Sequence, residues 1–178
     1  MSQISDSRID IRRAAAEDNK LLADAGRRLF YAAFAEGNTP EDMASYSTTA
    51  FSPEIQAAEL ADPASVTLIA EIDGIFAGYA RLKEGRPTLV LPGLRPVELV
   101  RIYSERDYIG QGVGAALMQA CLDEAARRGC DRIWLGVWEK NPRAIRFYEK
   151  WGFAAAGNQT FKLGEDLQTD LVMERGIA

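Results

Sequence analysis

Apolar positions change their period along the chain, and each change marks an element. Ile9 to Arg12 is a short run that predicts a first strand. From Ala16 to Ala35 the residues Leu21, Leu22, Ala25, Leu29 and Ala32/Ala33 fall at helical spacing, and Gly37 ends that helix. Asn38 and Pro40 supply turn chemistry into a short helix from about Glu41 to Tyr46. Ser52-Pro53 is then a cap and first position for another helix reaching about Leu60. Val66 to Ile72 and Ile75 to Leu82 read as two strands joined by Asp73-Gly74, a tight hairpin signal. Pro87, Pro92 and Pro96 make the segment from Gly85 to Pro96 a loop or strand extension. VELVRIYS, residues 97–104, is a buried or half-buried strand. A glycine-rich turn follows, then the helix AALMQACLDEAARR. Its stripe of Val113, Leu117, Cys121 and Ala125 repeats every four residues, Gln119, Asp123 and Arg127 point elsewhere, and Gly129 closes it in the left-handed conformation. DRIWLGVW, residues 131–138, is the next strand, and Asn141-Pro142 caps a helix through Tyr148 to about Lys150, stopped by Gly152. Two last strands, Phe153 to Leu163 and Gln168 to Glu174, flank the turn Gly164-Glu165-Asp166. This order predicts one α/β domain over residues 1–178, a mixed sheet of six or seven strands with helices on both sides.

Composition narrows the chemistry. A chain of 178 residues can bury a sizeable core, and no run of about 18 apolar residues predicts a membrane span. MSQISDSRIDIRR has no apolar h-region, so no secretory signal is expected and the expected location is cytoplasmic. The 21 basic and 26 acidic side chains leave a net charge of −5, which argues against a nucleic-acid surface and suits a cationic small molecule. Cys121 and Cys130 are too few for a disulfide scaffold and read as buried thiols in a reducing compartment. Histidine is missing altogether, which removes Ser-His and Cys-His pairs and the usual zinc sites together. No metal is expected; chemistry must come from carboxylates, tyrosine, backbone or water. A monomer or homodimer is the expected assembly.

The stretch that concentrates function is strand, glycine run, helix. Ile109-Gly110-Gln111-Gly112-Val113-Gly114 sits between the strand ending at Ser104 and the helix stripe that begins at Val113. That order aims unpaired backbone N–H groups and a positive helix end at one point, as a phosphate requires. A Walker A loop would end in Gly-Lys-Ser/Thr, where this one has Gly-Ala-Ala. Gly110-x-Gly112-x-x-Ala115 fits a dinucleotide fingerprint loosely, with Glu139 as its ribose acid. However, the polar gap Glu105-Arg106-Asp107 is too long for that tight turn, and a hairpin precedes it rather than a βαβ unit.

The run ELVRIYSERDYIGQGVGAALM resembles the principal cofactor motif of the Gcn5-related N-acetyltransferase (GNAT) superfamily, Arg/Gln-x-x-Gly-x-Gly/Ala. In that family the loop amides hold the pyrophosphate of acetyl-CoA. The signature positions here are Ile109, Gly112 and Gly114, and Ile109 departs from the family's Arg or Gln. The resemblance implies pantetheine pairing with backbone at Ile102, Tyr103 and Ser104. It also implies pyrophosphate contacts along Ile109, Gly110, Gln111, Gly112, Val113, Gly114 and Ala115, in a split between strands 97–104 and 132–138. WLGVWEKNPRAIRFYEKWGF resembles the same family's second cofactor motif, Asn-x-x-Ala-x-x-x-Tyr followed by Gly-Phe, through Asn141, Ala144 and Tyr148. Independently, a phenol with a reference pKa near 10 can protonate a leaving thiolate without being ionised at neutral pH. Tyr148 is therefore the expected general acid, the alternative being a core tyrosine.

The resemblance extends over nearly the whole chain to the bacterial Pai-type polyamine acetyltransferases. FAEGNTPEDMASYSTTAF matches through Asn38, Thr39, Glu41, Met43, Tyr46 and Phe51, and FKLGEDLQTDLVM through Gln168-Thr169-Asp170-Leu171. Leu29 and Ala33 stand where those relatives carry small hydroxyl residues. The resemblance implies direct attack of a primary amine, such as spermidine or spermine, on acetyl-CoA, with strand amides stabilising the oxyanion. A string of ammonium groups calls for carboxylates and aromatic faces. Glu36, Glu41, Asp42 and Tyr46 are the expected substrate-binding residues. Glu105 is also available, and Glu98, at the start of the central strand, is the candidate base. Two other readings stay open: a non-catalytic acyl-CoA sensor, and an acetyltransferase acting on proteins or peptides.

Overall fold

Residues 8–87 and 90–178 are described by a computed structural model; Met1 to Ser7, part of the stretch inspected for a secretory signal, and Thr88 and Leu89 lie outside the described residues. Seven strands run β1 (Ile9–Arg13), β2 (Ser65–Ile72), β3 (Ile75–Glu84), β4 (Pro96–Ser104), β5 (Arg132–Trp138), β6 (Ala154–Leu163) and β7 (Asp166–Gly176). Five helices are interleaved: α1 (Asn19–Phe34), α2 (Pro40–Ala50), α3 (Pro53–Ala61), α4 (Val113–Arg127) and α5 (Pro142–Lys150). The strands form one mixed sheet in the order β1-β2-β3-β4-β5-β7-β6, antiparallel everywhere except between β4 and β5. Among the described residues no helix is long and apolar enough to cross a membrane.

Local chemistry sets the element ends. Ser52 Oγ accepts from the Ile55 amide at 3.1 Å, so α3 starts on a capped proline. Asp73 and Gly74 both take positive φ (52° and 78°), the geometry of a two-residue hairpin turn. Two boundaries differ from the pattern. The first helix begins at Asn19 behind a 3-10 turn over Ala16–Asp18, because Asp18 turns its carboxylate to Arg12 (2.8 Å) and to the Ala15 amide (2.7 Å). The second runs past Tyr46 to Ala50: Thr48 and Thr49 donate their hydroxyls to carbonyls one turn back and stay helical.

The core lies on both faces of the sheet. Val113, Leu117, Cys121 and Ala125 of α4 pack on one face against β2, β3, β4 and β5, as their spacing predicts. Leu22, Ala25 and Leu29 of α1 cover Ile69 and Tyr79 on the other. Gly26 lets α1 come close: a Cβ there would sit 2.5 Å from the Phe51 ring and 2.9 Å from Tyr79 Oη. That accounts for a glycine in mid-helix, which costs about 1 kcal/mol relative to alanine. Cys121 and Cys130 are buried, and burial pushes the Cys121 thiol up to about 12, so it stays protonated. Glu124 was not legible from the stripe. It is buried on α4 and takes hydrogen bonds from Arg13, Arg127 and Arg128.

What positions the site is how little β4 and β5 share. Only Pro96–Arg132, Val97–Ile133 and Glu98–Trp134 pair across them; β5 then stays with β7 as far as Trp138–Asp170. β4 continues along β3, but Leu99 faces Leu82 while Arg101 faces Arg81, so Val100 is an extra residue, a bulge at the fork. The parallel strands therefore diverge as expected.

Candidate active site

A cleft of about 750 Å³ opens from the fork. One end is built by the turn into α4. Gly112 caps that helix with φ +90°, and Gly110 has φ +83°. A Cβ at Gly112 would meet only Ile9, at 3.7 Å, so glycine is needed there for the backbone conformation rather than for space. The Ala116 amide donates to Gly112 O at 2.9 Å. Val113, Gly114 and Ala115 thus form the first turn, whose N–H groups have no partner inside a helix and sit at its positive end.

Not every expected amide is available. Ile109 N–H donates to Arg106 O (3.3 Å) and Gln111 N–H to Tyr108 O (3.2 Å), while the Gln111 side chain donates to Asp107 O (2.7 Å). The loop consumes these two amides and leaves those of Gly110, Gly112 and the first turn of α4 open to an anion. The Val113 side chain is buried in the core and that of Gln111 lies off the cleft, which confines Val113 to a backbone role. Ile102, Tyr103, Ser104, Ile109 and Ala115 do line the cleft.

From the second wall come Asn141, Ala144 and Tyr148. Asn141 Oδ1 accepts from the Ala144 amide at 3.2 Å, so its side chain caps α5. Tyr148 is half-buried, its ring edge-on to Phe147 (5.5 Å) and Phe153 (5.8 Å). Its hydroxyl has no hydrogen-bond partner among the described residues, and burial, then the nearby Cys121, push the phenol above its usual range. It carries its proton throughout the physiological range.

The other end of the cleft is aromatic and acidic. Tyr46 stacks on Phe30 (4.8 Å) and meets Phe161 edge-on (5.3 Å). Arg101 is tied to Glu59 by two hydrogen bonds (2.7 and 3.1 Å) and lies 4.9 Å over the Phe51 ring; Arg81 also approaches Glu59, at 3.4 Å. Glu98 lines this end, and burial raises its carboxyl while Arg81, Lys83 and Arg101 pull it back down. Asp170 faces the same space from β7. It is 8% exposed, has no hydrogen-bond or ion-pair partner among the described residues, and is pushed up to about 6 by burial. Sequence reasoning quoted Asp170 within a motif without giving it a role. The available signal was an acid directly before the apolar run Leu171-Val172-Met173 of a strand.

Three of the four expected substrate residues lie off this cleft. Glu36 and Glu41 are exposed, and Glu36 borders a separate hollow of about 290 Å³ beside Trp138 and Lys140. Asp42 accepts from Thr39 Oγ1 (3.0 Å) and the Glu165 amide (2.8 Å), which spends its carboxylate on the β6–β7 turn. Starting α2 at Pro40 points its first turn at that hairpin and brings only Tyr46 round to the cleft. Glu105 is likewise spent, paired with Arg28 at 2.6 Å. No group of three or more His, Cys, Asp or Glu is placed to hold a metal among the described residues.

A family model described as the acetyltransferase (GNAT) family matches residues 25–153. The chain belongs to this family. An uncharacterised N-acetyltransferase of Mycobacterium tuberculosis is 41% identical over 156 residues, 88% of this chain and 96% of that one. The ribosomal protein bS18-alanine N-acetyltransferase of Escherichia coli is 41% identical over 58 residues, 33% of this chain and 39% of that one. Among solved structures, the PaiA N-acetyltransferase of Thermoplasma acidophilum in complex with coenzyme A superposes with a TM-score of 0.78 at 22% identity, covering 95% of this chain and 99% of that one.

This GNAT protein is thus an acetyl-CoA-dependent N-acetyltransferase, and acetyl-CoA is its co-substrate. The residues present fit that molecule. The left-handed Gly112 and the open first turn of α4 suit a pyrophosphate, and beyond Glu98 β4 no longer pairs with β5, so its edge there is open to an extended pantetheine. Acetyl-CoA supplies the activated acyl group; the chain's part is to hold it, to donate hydrogen bonds where charge develops, and to move protons.

Proposed function

We propose that this N-acetyltransferase acts as a single-domain enzyme on a small polyamine, of which spermidine and spermine are examples, by direct attack of a primary amine. The observation that carries this reading is a pair of carboxylates, Glu98 and Asp170, beside Tyr46 in one aromatic-lined cleft, neither with an ion-pair or hydrogen-bond partner among the described residues. A buried carboxylate left alone, as Asp170 is, is expensive, and a substrate carrying several ammonium groups offsets that cost there and can meet half-buried Glu98 as well. Phe30, Phe34, Tyr46 and Phe161 add faces for the cations and for the methylene chain between them. Glu59 pairs with both arginines nearby and offsets one of their two charges, so with Glu98 and Asp170 ionised the balance of these five side chains is still negative. The resemblance to Pai-type polyamine acetyltransferases points the same way. Unbridged buried Cys121 and Cys130 suit a reducing compartment such as the cytoplasm.

In this reading the Val100 bulge and the free edge of β4 orient the acyl group and offer amides to the oxyanion, and Tyr148 donates its proton to the departing sulfur. The test is CoA release from acetyl-CoA against spermidine, spermine, shorter diamines, amino acids, aminoglycosides and peptides beginning with alanine. Polyamines should give the highest kcat/KM. Turnover confined to the peptides would transfer the acceptor to a protein N-terminus.

A further inference from the structure

We propose that Asp170 takes the proton from the attacking ammonium group, reaching the acceptor nitrogen across the bare backbone of Gly136. The inference rests on the amine-acceptor reading above. It starts from one position on β5. Gly136 lines the cleft between the large side chains of Trp134 and Trp138, and a Cβ built on it would lie 2.5 Å from Gln159 Nε2 and 3.1 Å from Asp170 Oδ2. Asp170 of β7 stands opposite Trp138 and directly opposite Gln159 of β6. Two polar side chains from the outer strands therefore lean over β5 into the fork, and a Cβ at Gly136 would displace their tips.

Asp170 also differs electrically from Glu98, the base expected from sequence. Burial raises the Glu98 carboxyl too, but Arg81, Lys83 and Arg101 work against that rise. No cation does so for Asp170, whose carboxyl rises by burial alone. The groups that surround it are Tyr46 from α2, which senses its charge, with Glu98, Arg101 and Tyr103 from β4 on the same cleft wall. β5 and β6 contribute Gly136, Trp138, Gln159 and Phe161, none of which titrates. An unpaired carboxylate at about 6 is ionised at neutral pH yet basic enough to accept a proton.

The protons balance. The ammonium gives one proton to Asp170, and the freed lone pair forms the N–C bond at the thioester carbon. As the C–S bond breaks, Tyr148 protonates the sulfur and regains a proton from the nitrogen of the tetrahedral adduct, while Asp170 releases its own to solvent. The products are an N-acetylamine, CoA thiol and one proton.

The experiment is Asp170→Asn assayed with spermidine from pH 5 to 10, with CoA affinity and melting midpoint on the same preparation. At pH 7.5 kcat should fall about 100-fold or more, and the deficit should narrow toward pH 10, where the amine loses its proton unaided. The wild-type kcat/KM should rise with pH through a midpoint near 6, a limb that the variant lacks. A kcat within about threefold of wild type, a deficit constant with pH, or this same pattern in Glu98→Gln instead would overturn the assignment. Stability gives an acceptor-independent readout. A carboxyl raised from 3.8 to about 6 on folding contributes stability below the lower value that is lost as pH rises through the upper one. Asp170→Asn should therefore melt no lower than wild type at pH 7.5, and a lower midpoint would mark a structural aspartate and sink the proposal. Carbon-detected titration of the wild-type carboxyl should give a midpoint near 6, and one below about 4 would do the same. If wild type acetylates no amine, the acceptor reading fails and takes the proposal with it, whereas turnover of an amine with a lowered Asp170→Asn midpoint or a titration below about 4 overturns Asp170 alone.

Discussion

Tyr148 sets a free hydroxyl on a ring clamped by Phe147 and Phe153, so the ring and the hydroxyl can be tested separately. Tyr148→Phe keeps the clamp and removes the proposed proton donor. Because that proton is needed mainly as the C–S bond breaks, the loss should fall on kcat, by about 100- to 10,000-fold, with CoA affinity and melting midpoint close to wild type. A tyrosine that serves only the core would show the reverse, a kcat within about threefold and a lower midpoint. The place of Tyr148 on the cleft was legible in the sequence because a helix fixes which residues share a face, and Asn141, Ala144 and Tyr148 are spaced by helical turns. Asp170 was not, for an equally physical reason. Alternation along β7 assigns it a face but says nothing of what lies on the next strand, and its reach depends on a missing side chain, Gly136, over thirty residues away. In the α1–α2 region, local pattern could not show that Asp42 accepts from a backbone amide 123 residues along the chain, or that Glu36 and Glu41 lie off the cleft.

At the scale of elements, the caps and stripes were readable and the exceptions were side chains with distant partners. Ser52-Pro53 and Asn141-Pro142 start helices where local chemistry puts them. Glu124 is buried on α4 only because Arg13 arrives from β1 to join Arg127 and Arg128. Its carboxyl is held near 2 from an ordinary value of 4.5; burial works against that shift and the arginine hydrogen bonds outweigh it. A carboxyl lowered on folding contributes stability that is present above the unfolded value and lost as pH falls toward the folded one. Glu124→Gln should therefore lower stability by about 1–3 kcal/mol at pH 7, and the difference from wild type should shrink between pH 4.5 and about 2. Chemical denaturation at several pH values measures this, and a gap that does not change with pH would remove Glu124 from the ionic cluster. The α4 N-terminus makes a second prediction. Gly112→Glu forces a side chain into φ +90°, a conformation that costs an L-residue about 1–2 kcal/mol, and sets a negative charge beside the open first-turn amides. CoA affinity measured by calorimetry should fall at least about tenfold, since a charge of the wrong sign at a few ångströms is worth more than 1.4 kcal/mol at a protein surface. Unchanged affinity would move the phosphate away from this turn.

The whole molecule is a sheet joined at a narrow waist. β1 to β4 form one run of antiparallel pairs, β5, β7 and β6 form another, and three residue pairs between β4 and β5 hold the two runs together in the sheet. α4 braces them on one face through Leu117, Met118 and Cys121. A sequence shows the two strands and the turn between them, but the divergence comes from a bulge at Val100 and from β5 following β7, and both are properties of pairing rather than of any single segment. A molecule with this shape should respond to acetyl-CoA as a whole. In the arrangement proposed, one ligand touches β4, the start of α4 and α5, elements from both sides of the waist, so binding adds a link that the unfolded chain cannot make. At free ligand near 100 times its dissociation constant, mass action alone contributes about 2.7 kcal/mol, and for a chain of this length that corresponds to roughly 5–11 °C in melting midpoint. The rise should continue with the logarithm of CoA concentration. Amide exchange should slow at Leu99 to Ser104 of β4 and at the first turn of α4, while the far hairpin of β2 and β3 gains only what global stabilisation gives it. A logarithmic midpoint shift without local protection along β4 would mean that CoA binds away from the fork. No shift at saturating CoA would mean that the fork does not bind it, and the cradle, the pantetheine edge and the role of Tyr148 would fall together.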